Sequence, residues 1–349
     1  MRCARYQAGS PGHYRGYTAT GLRAGLFALL TVLPLVALPA RGAEPLYSKN
    51  LSPVAGLLGL PSPRSAALAA EGDWQLAMHG SIASHFVLDS DNGEALNLDG
   101  ETYRVAMDLR YGFSPGWELQ LEVPWLGHSG GSLDSAIDNW HDLWRMPDGG
   151  RSRVPRDLLD FSYRAVGSRF ALTDDASGVG DITLALNRTL FTGSSLQLSA
   201  GLGYKFATGR ERELLGSGAE DGFIALRAGW VPAGSPFSAH AQAGYLRAGH
   251  SRVLANPQER NLWFAGAGLN WRALDALSLI VQLDSHSAPM ESRLAALGDT
   301  ALLLSVGGRW QMNPRWALDI SVVEDVAVAT GPDIIFQASL RFTPSGAVH

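Results

Sequence analysis

Residues 102–113 read TYRVAMDLRYGF, and their side chains alternate between two kinds. The odd positions are apolar, whereas the even positions are polar or small and include Arg104, Asp108 and Arg110. Because successive side chains of a β-strand point to opposite faces, this pattern predicts a strand with one apolar and one polar face. Charges of both signs on the polar face indicate that this face lines a watery lumen.

The same alternation recurs about twelve times along the chain. Each predicted strand has about ten residues or more, which exceeds the roughly five or six of a typical soluble strand. It matches the roughly 9–11 residues of a tilted strand that crosses a bilayer. The predicted strands span roughly 73–88, 100–113, 117–126, 180–191, 195–207, 221–232, 237–248, 261–272, 276–285, 300–311, 315–326 and 333–343.

The connections between these strands are predicted to alternate between short and long. With an even number of strands, all short turns fall at one end, as in outer-membrane barrels with short periplasmic turns and longer external loops. Trp117, Trp271 and Trp316 lie near short turns, as expected of aromatic rings at a membrane interface. The longer connections are predicted at about 89–99, 127–179, 208–220, 249–260 and 286–299, with a shorter one at 327–332.

The sequence therefore predicts an all-β fold, a transmembrane antiparallel β-barrel of about 12 strands over residues 73–343. One long extracellular loop, residues 127–179, is expected to contain a short helix and to lie outside the barrel or fold into its lumen. Residues 43–72 are expected to form an N-terminal periplasmic segment, and residues 344–349 a C-terminal tail. A soluble sandwich or propeller is the alternative, but such a fold would turn its apolar faces inward over short strands.

Residues 1–42 are expected to be a secretory signal peptide that is removed. Arginines precede an apolar stretch from Leu26 to Leu38, and small residues follow it, which is the order of a signal peptide and its cleavage site. Removal takes away five arginines and Cys3, leaving 23 basic and 33 acidic residues, a net charge of −10. An acidic chain without a basic run excludes nucleic acid as a partner. The predicted location is the outer membrane of a Gram-negative bacterium.

Charged residues on the polar strand faces are the predicted lining of the lumen. Charges of both signs can pair into a plug or form a field across a narrow pore. Twelve strands leave a bore between the filled eight-stranded barrels and the open sixteen-stranded porins. The candidate lining and constriction residues are Arg104, Asp108, Arg110, Glu118, Glu122, Lys205, Arg309, Asp319 and Arg341, together with Asp181.

The long connection 127–179 contains a predicted helix from Ser132 to Trp144. Apolar residues recur there at helical spacing, and the opposite face carries Asp134, Asp138, His141 and Asp142. These side chains could hold a divalent cation, since they sit one above another on a helix. We expect instead a solvated face whose other side packs on the barrel, so no metal and no cofactor is predicted.

Several short motifs resemble those of one proteobacterial protein family. Together they resemble the family catalogued as domain of unknown function 3187, over nearly the whole mature chain. The resemblance implies an outer-membrane or envelope barrel and carries no established activity. The motifs are PLYSKNLSP at 45–53, GLP at 59–61, LDGE at 98–101, ELQLEVP at 118–124, SLD at 132–134, NWHD at 139–142, GVGD at 178–181, ATG at 207–209, GSGA at 216–219, QLDSHS at 282–287, VED at 323–325 and PD at 332–333.

The predicted function is the passage of small solutes through a narrow outer-membrane channel, without catalysis. The expected partners are outer-membrane lipid and lipopolysaccharide, the barrel-insertion machinery and a small-molecule solute. One alternative is a lipid-modifying hydrolase in which His79 and Ser81 share a strand face, although that face points into the lumen and away from lipid. A sealed structural or adhesion barrel is the other alternative.

Overall fold

A closed barrel of twelve antiparallel strands is the main feature of the fold. The computed structural model describes residues 43–131, 158–255, 257–326 and 330–344. The strands are β1 (Trp74–Asp91), β2 (Glu94–Ser114), β3 (Trp117–Ser129), β4 (Asp160–Ala165), β5 (Ser168–Leu172), β6 (Ala176–Val179), β7 (Thr183–Thr192), β8 (Leu196–Lys205), β9 (Asp221–Trp230), β10 (Phe237–Arg247), β11 (Asn261–Leu274), β12 (Leu277–His286), β13 (Ala301–Gln311), β14 (Trp316–Asp325) and β15 (Ile334–Phe342).

Pairing of β1 with β15 closes the barrel. Its wall runs through β1, β2, β3 and then β7 to β15, and each of these strands pairs with two neighbours. The predicted barrel of about twelve strands is confirmed. Closure removes the exposed edges that an open sheet would present. Among the described residues, no helix combines the length and the apolar character that a membrane span requires.

Large apolar side chains cover the outer surface of the barrel. Leu202, Ile224, Leu226 and Ile320 are each more than half exposed, at 59%, 57%, 61% and 61%. Soluble monomers rarely expose so much contiguous apolar surface, because its contact with water is unfavourable. An apolar exterior around a polar interior is the pattern of a transmembrane barrel.

The two ends of the barrel differ in their connections. We call the end that holds the start of β1, the end of β15 and the short connections after β2, β7, β9, β11 and β13 the turn end, and the opposite one the loop end. Aromatic rings gather at the turn end, where the ring of Trp316 lies 4.6 Å from that of Phe342 and the ring of Trp74 lies 5.6 Å from it. Aromatic rings of this kind are typical of the interface between lipid and water.

The connection predicted at 89–99 is a tight turn and not a long loop. Strands β1 and β2 remain paired as far as Asp91 and Glu94. Asn92 and Gly93 form the turn, with φ angles of 44° and 90°. A two-residue hairpin that follows the strand twist needs positive φ at both central positions, and Asn-Gly meets this need with little strain.

The described part of the long connection 127–179 consists largely of strands. Strand β4 pairs with the loop-end part of β2, β5 pairs with β4, and β6 pairs with β3. Phe161, Tyr163 and Leu172 from this addition are buried. The predicted helix from Ser132 to Trp144 lies outside the described residues.

The interior of the barrel has an apolar part near the loop end. Phe161, Leu246, Leu254 and Leu262 are fully buried there, in one cluster with side chains of the N-terminal residues such as Val54. A turn of 3₁₀-helix at Ala55–Leu57 belongs to this cluster, and further short turns lie at Glu211–Glu213 (3₁₀) and Ala295–Gly298 (α). The connections at the loop end therefore pack over the opening of the barrel.

Residues 44–69, which we call the plug segment, lie inside the barrel. Backbone N–H groups of this segment donate to wall side chains, from Leu46 to Gln282 Oε1 (3.1 Å), from Gly59 to Asp221 Oδ2 (2.8 Å) and from Ala69 to Glu118 Oε2 (2.8 Å). The sequence predicts a periplasmic segment over residues 43–72, and the structure describes residues 44–69 of it inside the barrel. The backbone N–H and C=O groups of an irregular chain inside a barrel need hydrogen-bond partners, and the polar inward side chains of the wall supply them.

Candidate functional site in the barrel interior

The predicted lining residues all lie on inward strand faces. Arg104, Asp108, Arg110, Glu118, Glu122, Lys205, Arg309 and Asp319 are buried, and the Arg341 side chain is 15% exposed. Asp181, which follows β6, also points inward and pairs with Lys205. The structure brings these residues into three groups along the barrel and a fourth around Glu118.

The group nearest the turn end, which we call the turn-end cluster, consists of Glu44, Arg110, Arg309, Arg341, Asp108 and Asp319. Arg309 and Asp319 face each other across β13 and β14, with Nε and Oδ1 2.6 Å apart. Arg341 Nε donates to the other oxygen of Asp319 at 2.8 Å, and Arg110 Nε donates to Asp108 Oδ1 at 3.0 Å. Wall residues from neighbouring strands thus form a dense network of ion pairs.

Glu44 of the plug segment completes the turn-end cluster. Its Oε1 accepts from Arg341 Nη1 at 2.9 Å and from Arg110 Nη1 at 3.1 Å. Burial by itself would raise the pKa of Glu44, but the guanidinium groups of Arg110, Arg341 and Arg309 hold that pKa well below its usual range. Glu44 is therefore ionised inside the lumen.

The second group lies deeper and joins the plug segment to β1, β2 and β3. Arg104 donates to Glu122 at 2.6 Å and also to the hydroxyl of Tyr47. Lys49 lies 3.4 Å from the same carboxylate. The Tyr47 ring stacks on the ring of His79, with 3.9 Å between centroids.

The third group lies toward the loop end around Lys205. Its ammonium group is 2.6 Å from Asp181 Oδ2 and 3.3 Å from Asp221 Oδ2, and it also donates to Ser217 Oγ at 2.7 Å. Asp221 in turn accepts from the backbone N–H of Gly59. Lys205 therefore ties the loop connections and the plug segment to the wall.

Glu118 anchors the last part of the plug segment. Its two oxygens accept from Arg64 Nη2 at 3.0 Å, from Asn187 Nδ2 at 3.1 Å and from the backbone N–H of Ala69 at 2.8 Å. Arg227 of β9 donates to Asn187 Oδ1 at 2.9 Å. A wall carboxylate and a plug guanidinium thus meet in a fully buried pair.

Several residues of these groups were missed by the sequence analysis. Glu44, Lys49 and Arg64 belong to an irregular segment, so no periodicity marks their side chains as lumen residues. Arg227 and Asp221 lie on one face of β9, and the alternation in that strand could have identified both.

The cavities between plug segment and wall are small. One of about 140 Å³ lies at the turn end and is lined by Glu44, Arg110, Arg309 and Arg341. Others of about 50 Å³ and 20 Å³ lie deeper, beside Asp284 and beside Tyr47. The plug segment thus takes up space inside the barrel.

The histidine and serine residues of β1 do not form a pair that faces lipid. His79 Nδ1 lies 2.8 Å from Ser339 Oγ of β15, and both residues are 1% exposed. His85 Nε2 lies 2.9 Å from Thr102 Oγ1, also inside the barrel. The inward position of His79 and Ser81 agrees with the alternation of β1 and keeps them away from a lipid substrate.

The second predicted site falls outside the described residues. It consists of Asp134, Asp138, His141 and Asp142 of the expected loop helix. Within residues 43–131, 158–255, 257–326 and 330–344, no group of three or more His, Cys, Asp or Glu side chains could hold a metal ion.

Comparison with known proteins places the chain in a family. Residues 27–343 match the family described as "Protein of unknown function (DUF3187)". The chain belongs to this family. No curated protein matches the chain.

Among solved structures, this DUF3187 protein is similar to barrels of the outer membrane. The COG4313 outer membrane channel from Pseudomonas putida F1 is 14% identical, with 82% of this chain and 97% of that chain covered and a TM-score of 0.49. The NanC porin is 8% identical over 76% of this chain and 98% of that chain, with a TM-score of 0.44. The KdgM porin in complex with disordered oligogalacturonate is 8% identical over 79% and 99%, with a TM-score of 0.41.

Proposed function

We propose that the chain is a channel for small solutes in the outer membrane of a Gram-negative bacterium, and that the plug segment holds it closed. In this proposal the turn end faces the periplasm, as short turns do in outer-membrane barrels. The plug segment leaves the lumen at the turn end, where Gly72 N–H donates to the carbonyl of Gly112 just before β1 begins. The plug segment is therefore followed within a few residues by the first strand of the barrel wall.

The observation that carries the proposal is that many inward side chains of the barrel wall are small, and that the plug segment fills the space inside. Ala106, Ala185, Ala225, Ala317 and Ser199 are inward and buried. Small barrels can seal themselves with larger inward side chains. This wall instead leaves a bore that is filled by residues joined to it through hydrogen bonds and ion pairs.

Two glycines show how closely the wall is shaped to the plug segment. A Cβ added at Gly229 would lie 3.6 Å from Ala66 Cβ, in ordinary contact. A Cβ added at Gly112 would lie 2.5 Å from the carbonyl oxygen of Ala69, which no structure tolerates without movement. The plug segment fits the wall closely but is held to it only by non-covalent contacts. This arrangement favours a channel over a barrel that is sealed by its own wall.

Deletion of residues 44–69 tests the proposal. The intact protein in planar bilayers is expected to show low or brief conductance, and the deletion variant a steady conductance at least about tenfold larger, because the charged lining then contacts water along the bore. Circular dichroism and heat-modifiable gel mobility check that the variant is folded. A folded deletion variant without conductance would contradict the channel and favour a sealed barrel.

A further inference from the structure

The turn-end cluster arranges three arginines around one carboxylate of the plug segment. Arg110 and Arg341 both donate to Glu44 Oε1. Arg309 donates through Nη1 to the carbonyl of Glu44 and through Nη2 to the carbonyl of Pro45, both at 3.1 Å. Asn270 Nδ2 also donates to the carbonyl of Glu44 at 3.2 Å. Side chains from several wall strands thus donate hydrogen bonds to this one residue.

Within the turn-end cluster, three carboxylates balance three guanidinium groups only while the Glu44 side chain is in place. The wall supplies Asp108 and Asp319 to the three guanidinium groups, and Asp319 serves both Arg309 and Arg341. Glu44 supplies the third negative charge. Withdrawal of Glu44 removes an ionised acceptor from both Arg110 and Arg341, each of which keeps a single wall carboxylate, and so leaves a place for another anion.

Space for such an anion already exists beside Glu44. The cavity of about 140 Å³ is lined by all three arginines, with Asp108 as the wall carboxylate beside them, and reaches the end of β15. One water molecule takes about 30 Å³ of liquid, so the cavity holds a group of a few heavy atoms. Removal of the Glu44 side chain enlarges the same space.

We propose that this cavity is a binding site for the carboxylate of a small organic anion, and that Glu44 occupies it as an internal ligand. This inference rests on the proposed channel and names the class of its solute, small carboxylates. A planar carboxylate matches the fork of N–H donors that arginine presents. A solute carboxylate and Glu44 then compete for Arg110 and Arg341, so binding of the solute displaces the Glu44 side chain from these two arginines.

Binding of succinate to the full-length protein in detergent tests the site without relying on conductance. Glu44→Gln keeps the size of the side chain and removes its charge. Isothermal titration is expected to show succinate binding at least about tenfold tighter to Glu44→Gln than to the wild type, because a tethered competitor has been removed. Succinamide, which has the same shape without charge, is expected not to bind. Equal affinity of wild type and Glu44→Gln for succinate would overturn the inference.

Further variants distinguish this site from general loosening of the plug. Lys49→Gln weakens the plug at Glu122, away from the cluster, and should leave succinate affinity at the wild-type value. Glu44→Gln combined with Arg341→Gln, or with Arg110→Gln if the first does not fold, should lose the gained affinity. A gain in Lys49→Gln, or a gain retained in both double variants, would contradict the site.

Three other outcomes test the ligand class and distinguish the binding site from the proposed channel. If inorganic phosphate binds Glu44→Gln as tightly as succinate does, the site is a general anion site and the carboxylate assignment fails. If the deletion of residues 44–69 conducts while succinate does not bind Glu44→Gln, this inference fails and the channel stands. If succinate binds while the folded deletion variant is silent, the channel fails and the binding site stands.

Discussion

Glu118 is a residue at which wall and plug segment meet with almost no exposure to water. It is 1% exposed, and it accepts from Arg64, from Asn187 and from the backbone of Ala69. A hydrogen bond to a charged group contributes about 1.5–3 kcal/mol, and loss of the charge leaves Arg64 buried without a counter-ion. Glu118→Gln should therefore release the end of the plug segment without opening the barrel.

Hydrogen exchange measures this prediction directly. Amides of residues 60–70 should exchange at least about tenfold faster in Glu118→Gln than in the wild type, since about 1.4 kcal/mol of local stability corresponds to a tenfold change in opening. Amides of β3 and β7 should keep their protection. Glu324→Gln, at an exposed position near the loop end, is the matched control and should change neither set. Unchanged exchange at residues 60–70 would show that Glu118 does not anchor the plug.

Strand periodicity predicted the charged residues of the site that lie on barrel strands, but not those of the plug segment. Arg104, Asp108 and Arg110 alternate with apolar neighbours, so their inward direction follows from the pleat of β2. Glu44 and Arg64 have no such neighbours, and their pairing with Arg341 and Glu118 depends on contacts between residues far apart in the sequence. The wall of the site was predictable from sequence, whereas its occupant was not.

At the scale of elements, the plug segment can be fixed to the wall by a designed disulfide. Ala66 lies beside Gly229 of β9, and a Cβ at Gly229 would be 3.6 Å from that of Ala66. This distance lies within the range of about 3.5–4.5 Å that disulfides require. The chain has one cysteine, Cys3, in the expected signal peptide, so no other thiol of the mature chain would interfere.

The double variant Ala66→Cys with Gly229→Cys should be closed when oxidised. In planar bilayers we expect its brief openings to disappear, and a reducing agent should restore them to the wild-type level. Ala66→Cys alone is the control and should respond to neither oxidant nor reductant. If the oxidised double variant, with the crosslink verified by mass spectrometry, opens as often as the reduced form, movement of the plug segment does not gate the channel.

Secondary structure was predictable from sequence where one residue pattern persisted over ten residues. All twelve barrel strands were predicted, because each has one face toward lipid and one toward the lumen. The turn at Asn92 was missed although Asn-Gly is a strong hairpin signal, since the polar residues around it read as a loop. Strands β4, β5 and β6 were missed because each is short, with four to six residues. Strands β4 and β6 gain their partners from distant parts of β2 and β3, and β5 pairs with β4.

At the scale of the whole molecule, the barrel and the plug segment are held by different interactions. A continuous ladder of backbone hydrogen bonds closes the barrel, and disruption at one strand exposes an edge. Side-chain hydrogen bonds and ion pairs hold the plug segment, and each can break while the wall remains intact. The two parts should therefore lose structure in separate steps, with the plug segment first.

Hydrogen exchange in increasing urea, with the protein in micelles, should resolve these two steps. Amides of residues 44–69 should lose protection at lower urea than amides of β9 to β13. The first step should also have the smaller dependence on urea, because that dependence scales with the surface exposed and the plug segment exposes little. The deletion variant should show the second step alone, at the same midpoint as in the intact protein. A single transition at one midpoint for both sets of amides would mean that plug and barrel unfold as one unit, and a plug that cannot leave without unfolding the wall cannot serve as a gate.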